Sequence, residues 1–137
     1  MRFIDTIVIH CADTPNGKDF HASDIDQWHK ERGWSGIGYH YVITVAGDIE
    51  KGRSDERIGA HVKGHNTTSV GICMIGCDKF NTVQWTALGL LVAELNTKYD
   101  IVKVCGHRDF DSHKTCPNFD VADWLENGLP EGQVLDA

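Results

Sequence analysis

Residues 70–105 read VGICMIGCDKFNTVQWTALGLLVAELNTKYDIVKVC. The stretch begins with Val70-Gly71-Ile72-Cys73-Met74-Ile75, an apolar run without polar alternation, as in a strand covered on both faces. Thr82 can cap the helix that follows, in which Trp85, Leu88, Leu91, Val92, Leu95 and Tyr99 recur at helical spacing as one apolar stripe. Ile101-Val102-Lys103-Val104-Cys105 then reads as a second strand. Strand, helix and strand form one crossover unit, right-handed if its two strands are parallel.

Working outward, Thr6-Ile7-Val8-Ile9 is another buried β-branched run, and it ends at His10. Ser23-Asp24-Ile25-Asp26 looks like a capping box and Gly33 can close the helix it opens, which predicts a helix over residues 24–32. Residues 39–44 alternate loosely, Ala46-Gly47-Asp48 supplies a turn, and residues 49–52 return to make a hairpin. Asp120 can cap a last short helix carrying Val121, Trp124 and Leu125, with Gly128 after it. Strands and helices interleave, so the expected fold is α/β: a single domain over residues 1–128, with a mixed central sheet and helices on both faces. Residues 129–137, acidic and without pattern, are expected to form a loose tail.

A chain of 137 residues, 41% of them hydrophobic, is long enough to bury a core without cross-links. Thirteen Lys and Arg against 20 Asp and Glu give a net charge of -7, which disfavours nucleic acid as a partner. No stretch approaches the roughly 20 apolar residues that span a bilayer, and Met1-Arg2-Phe3-Ile4-Asp5 does not read as a signal peptide. The expectation is a chain without membrane partners that is not secreted by a signal peptide. The five cysteines form an odd set without paired spacings, which points to a reducing compartment. Cys73, Cys77 and Cys105 lie in or beside apolar runs and read as small buried hydrophobes. Cys116 has polar neighbours and precedes a proline.

His10 and His107 both fall at the carboxyl ends of expected strands, where α/β sheets gather ligands. Between residues 106 and 117 the chain makes a short polar excursion that can bring Cys116 back to His107. Two histidines and a cysteine are the ligand count of a catalytic zinc that keeps one position open for water. Spacing alone is also compatible with hydrogen-bonded surface histidines and an ordinary thiol. Asp109 and Asp111 can be carboxylate partners of a ligand histidine or simple loop caps. His21, His29, His65 and His113 read as surface residues, with His113 able to reach a rim.

The flanking motifs narrow this reading. Ile9-His10-Cys11-Ala12-Asp13-Thr14, Gln27-Trp28-His29-Lys30, Gly38-Tyr39-His40-Tyr41, Gly59-Ala60-His61, Ser69-Val70-Gly71-Ile72-Cys73, Gly106-His107-Arg108-Asp109 and Lys114-Thr115-Cys116-Pro117-Asn118-Phe119-Asp120 follow in one order. In this the chain resembles the zinc-dependent N-acetylmuramoyl-L-alanine amidases, the type shared by amidase-type phage endolysins and peptidoglycan recognition proteins. The likeness runs from about Thr6 to Trp124.

The resemblance implies that zinc (Zn2+) is held by His10, His107 and Cys116, and that the amide between N-acetylmuramic acid and L-alanine is cleaved. It also implies catalytic roles for Tyr39 and Lys114. The Lys114 cation can stabilise an oxyanion, and the Tyr39 hydroxyl can orient or deprotonate water. Tyr39 and His40 would point to opposite faces of a regular strand, so both reach the site only if that strand starts irregularly. His40 is a candidate lining the peptidoglycan groove, and His61 reads equally as a substrate contact in that groove or as a structural hydrogen bond.

The expected protein is a phage or prophage endolysin, cytoplasmic in the host cell until released to the wall through a separate pore. Two alternatives are a cytosolic amidase that recycles wall fragments and a non-catalytic peptidoglycan- or protein-binding module. Members of the binding type lack the cysteine ligand, which is present here. Some phage amidases of this kind also inhibit RNA polymerase, a role that the short segment before His10 does not support.

Overall fold

A computed structural model describes residues 2–135. In chain order the elements are β1 (Thr6–Cys11), α1 (Ala22–Glu31), β2 (Tyr41–Ile43), β3 (Ile49–Lys51), β4 (Ser69–Met74), α2 (Thr82–Lys98), β5 (Lys103–Gly106), a single 3-10 turn (His107–Asp109) and α3 (Val121–Asn127). The strands form one sheet in the order β3-β2-β4-β1-β5. Every neighbouring pair is parallel except β2 with β3, the antiparallel hairpin expected around Gly47. The sheet is therefore mixed, and β1 lies between β4 and β5, the two strands of the crossover.

Both faces of the sheet are covered, which explains the unbroken apolar runs of β1 and β4. On one face Ile7, Ile9, Val70, Ile72 and Met74 pack against Leu88, Leu91 and Leu95 of α2 and against Val121 and Trp124 of α3. On the other, Val42 and Cys73 meet Ile25 of α1. The stripe on α2 lies on the sheet as its 3.6-residue spacing requires.

The helix starts differ from the sequence expectation in register. α2 is capped by Asn81, not Thr82: its side-chain oxygen accepts from the Gln84 amide at 2.9 Å, and Gln84 Oε1 accepts from the Asn81 amide at 3.1 Å. Asn81 is extended, so its short carbonyl reaches back into the first turn, where four amides lack helical partners. α1 starts two residues early because Glu50 on β3 accepts from the Ala22 amide at 2.8 Å. Asp120 caps α3 as expected, accepting from the Asp123 amide at 3.1 Å.

The tail differs more. Through residue 135 it is tied to the domain: the Phe80 amide donates to the Gln133 carbonyl at 3.0 Å and the Leu135 amide to the Phe80 carbonyl at 2.9 Å. Val134 packs on the core and Pro130 is buried. Acidic composition suggested a free end, but two apolar side chains and an unpaired backbone at Phe80 fix it.

Asp55 braces the outer edge of the sheet to the end of α2. Its buried carboxylate accepts from Tyr41 at 2.7 Å, Tyr99 at 2.8 Å, Lys51 at 2.8 Å and Lys98 at 3.3 Å. Burial alone raises the carboxyl's pKa, but hydrogen bonds from Lys51, Tyr41 and Tyr99 outweigh it and hold the group below the usual range. Replacing Asp55 by Ala orphans the buried Tyr41 hydroxyl and unties α2, and should cost about 2–4 kcal/mol. A depressed carboxyl stabilises above its unfolded pKa of about 3.9 and loses that contribution as pH falls. Urea midpoints at pH 7 and pH 3 check both points: the wild-type advantage over the variant should shrink at the lower pH.

Candidate metal centre

Parallel neighbours deliver the two histidines to one place. In the β1–β5 ladder Ile9 lies opposite Gly106, so His10 and His107, each one residue further on, emerge side by side at the carboxyl ends of their strands. Their ring centroids are 4.8 Å apart. The polar excursion then returns: the Arg108 amide donates to the Cys116 carbonyl at 2.8 Å. Gly106 permits this close return, since a Cβ there would lie 2.6 Å from Cδ of Pro117. The Cys116 sulfur accepts from the Cys11 amide at 3.0 Å, which fixes its position beside β1. One ligand atom from each of His10, His107 and Cys116 lies within 4.8 Å of the others.

This donor set fits a metal. Bonds of about 2.0–2.3 Å to nitrogen and sulfur let one ion bridge such a cluster with a small inward movement of the side chains. The imidazoles are suited to donate: burial, then His61 and His107, push His10 well below its ordinary pKa, and burial followed by Lys114 lowers His107. Both are therefore neutral near pH 7, with a lone pair available for an ion. His107 and Cys116 open on a cavity of about 940 Å³, whose wall includes Arg32, Trp34, Lys63, Phe110 and Lys114.

Tyr39 and Lys114 both line this cavity. Tyr39 lies just before β2, with a bend at His40 between them, and of the two only Tyr39 reaches the cavity. Its ring lies 4.9 Å from that of His10. Burial and the neighbouring thiols of Cys73, Cys116 and Cys11 raise its pKa well above the ordinary value. In the metal-free protein the group is thus a neutral O–H donor. Lys114 is exposed at the rim.

His40 is not at the groove, against the sequence expectation. It is fully buried, Nδ1 accepts from the Gly71 amide at 3.1 Å, and Nε2 donates to the Arg57 carbonyl at 2.8 Å. Burial lowers its pKa to about 4, so it is a neutral cross-link between β2, β4 and the 54–60 loop. His61 does line the cavity, yet it is also buried, with both nitrogens engaged inside the protein.

His29 is another difference. Expected on the surface, it is buried beside Tyr39 and lines the cavity, with Nδ1 accepting from the Gly38 amide at 2.9 Å. Its spacing of four from Ile25 was the available signal, because those positions share a helix face. Cys77 is half-exposed, with its sulfur 3.4 Å from Asp13, whereas Cys73 and Cys105 are buried as expected. Asp109 and Asp111 accept from the Gly106 and His113 amides, so both are loop caps.

The family model described as N-acetylmuramoyl-L-alanine amidase matches residues 1–119, and the chain belongs to that family. Among individual proteins, it is 39% identical over 128 residues to the endolysin of Klebsiella phage KP32, covering 88% of this chain and 84% of that one. The N-acetylmuramoyl-L-alanine amidase LysC from Clostridium intestinale superposes with a TM-score of 0.79 at 34% identity, over 87% of this chain and 79% of that chain. Drosophila PGRP-LB superposes with a TM-score of 0.78 at 25% identity, over 100% of this chain and 88% of that chain. The mixed sheet with helices on both faces is the fold of these amidases and recognition proteins.

Proposed function

We propose that the chain is a zinc-dependent endolysin that hydrolyses the amide between the lactyl group of N-acetylmuramic acid and L-alanine in peptidoglycan. The observation that carries this reading is the convergence of His10, His107 and Cys116 beside a cavity of about 940 Å³, in a member of the amidase family. The cavity walls mix the cations Arg32, Lys63 and Lys114 with the aromatic rings of Trp34, Tyr39 and Phe110. The intact cysteine favours hydrolysis over recognition alone.

When bound, zinc supplies Lewis-acid polarisation of water and of the scissile carbonyl. The remaining work falls to side chains of this chain. His10 and His107 donate as neutral imidazoles, and the Cys11 amide holds the Cys116 sulfur in place. The Tyr39 hydroxyl, kept protonated by its surroundings, orients water or carbonyl oxygen through a hydrogen bond. In this reading the Lys114 ammonium, on the cavity wall, offsets the negative charge that develops on that oxygen. Helix α1 supplies His29 beside Tyr39, with ring centroids 5.6 Å apart.

No helix among the described residues is long and apolar enough to cross a membrane. In the endolysin role the protein acts from the host cytoplasm once a separate pore opens the way to the wall. Chelation is expected to abolish lysis of purified sacculi, and one equivalent of zinc per chain should restore it. Full activity in a metal-free preparation would refute the metal's role. Offering soluble anhydro-muropeptides alongside intact sacculi separates the two hydrolase readings: the endolysin should prefer sacculi, and preference for the soluble fragments would assign it to recycling.

A further inference from the structure

Behind His10 runs a chain of three polar contacts. His10 Nε2 lies 2.8 Å from His61 Nδ1, His61 Nε2 lies 3.2 Å from the Ser69 hydroxyl, and that hydroxyl lies 2.7 Å from the carbonyl oxygen of His65. The last group sets the direction of all the others. A carbonyl only accepts, so the Ser69 hydroxyl donates to it, and the Ser69 oxygen is left to accept from His61 Nε2–H. A neutral imidazole carries one ring hydrogen, so His61 Nδ1 is bare and accepts from His10 Nε2–H. By the same rule His10 holds its lone pair on Nδ1.

We propose that His61, anchored by Ser69, is a positioning residue that fixes the tautomer and ring orientation of His10, so that Nδ1 is the nitrogen presented to the metal. Ligand histidines commonly donate their other ring N–H to an outer partner, and here the partner is a second histidine rather than a carboxylate. The surrounding backbone is shaped for it. A Cβ at Gly71 would lie 2.7 Å from Cγ of His61, and one at Gly59 would lie 2.7 Å from its Cδ2. The loop that carries His61 is pinned as well, because the Asn66 side chain accepts from the amides of His61 and Val62 at 3.0 and 2.9 Å. Ser69 thus has a task that its position at the head of a buried strand does not suggest.

The inference rests on His10 being a zinc ligand, and the test separates the two claims. Zinc content of the wild-type chain comes first: a chain that binds none removes the ligand assignment itself. On the zinc-loaded protein, nitrogen-correlated NMR of the histidine rings should show His10 bound through Nδ1 with a hydrogen on Nε2. Coordination through Nε2 would overturn the inference while leaving the ligand set intact, and this readout needs no variant. His61→Leu should weaken zinc binding by about 10–100-fold in competition with a chromophoric chelator. His61→Asn, whose amide oxygen can occupy the place of Nδ1, should recover most of that loss. Equal zinc affinity in wild type and His61→Leu, or an Asn variant as weak as the Leu variant, would show that the acceptor at residue 61 has no such role.

Discussion

Cys116→Ser should lose zinc affinity by more than about 100-fold, beyond what removal of an outer-shell partner costs, and wall lysis should fall with it. A serine hydroxyl is not ionised near neutral pH, so it cannot take the thiolate's place, and the Cys11 amide would then face a weak acceptor. Metal binding stabilises the folded state by mass action, so added zinc should raise the melting temperature of wild type but not of this variant. Cys73→Ser is the control. Its sulfur is fully buried on the α1 face of the sheet, and a hydroxyl there should cost about 1–3 kcal/mol while leaving zinc stoichiometry unchanged. Equal zinc affinity for wild type and Cys116→Ser would remove the third ligand.

Lys114→Ala should act on turnover instead of binding. Donors that stabilise a developing oxyanion are worth about 10²–10³-fold in kcat, and the exposure of Lys114 at the rim places it near the lower figure, because water screens its charge. Zinc content and melting temperature should match wild type, since Lys114 is exposed. Steady-state kinetics on a soluble muropeptide distinguish the possibilities: a fall in kcat with KM unchanged supports the role, and an unchanged rate removes it.

The framework of this site was legible because it depends on local patterns. The run from Thr6 to Ile9 and the stripe on α2 announce buried elements by period alone, and two strand ends put His10 and His107 where α/β sheets bind ligands. What escaped the sequence depends on long-range contacts. Glu50 decides where α1 starts, from a strand 28 residues away. Phe80 captures a tail whose composition suggested freedom. The histidines were hardest, because their tasks depend on which ring nitrogen meets which neighbour. His40 spends both nitrogens on backbone groups, and His29, expected on the surface, turns inward from α1. His61 faces a second histidine, and that pairing appears only when β1, β4 and the 59–66 loop are brought together. Glycines belong to the same class: Gly71 and Gly106 make room for His61 and Pro117, partners distant in sequence.

Mass spectrometry of purified sacculi digested by the zinc-loaded chain tests the central claim most directly, since it reads the bond that is broken. The account predicts release of stem peptides with a free L-alanine amino terminus from glycan strands that keep their length and carry lactyl carboxylates. New reducing sugar ends, or cuts between residues of the stem peptide, would contradict it.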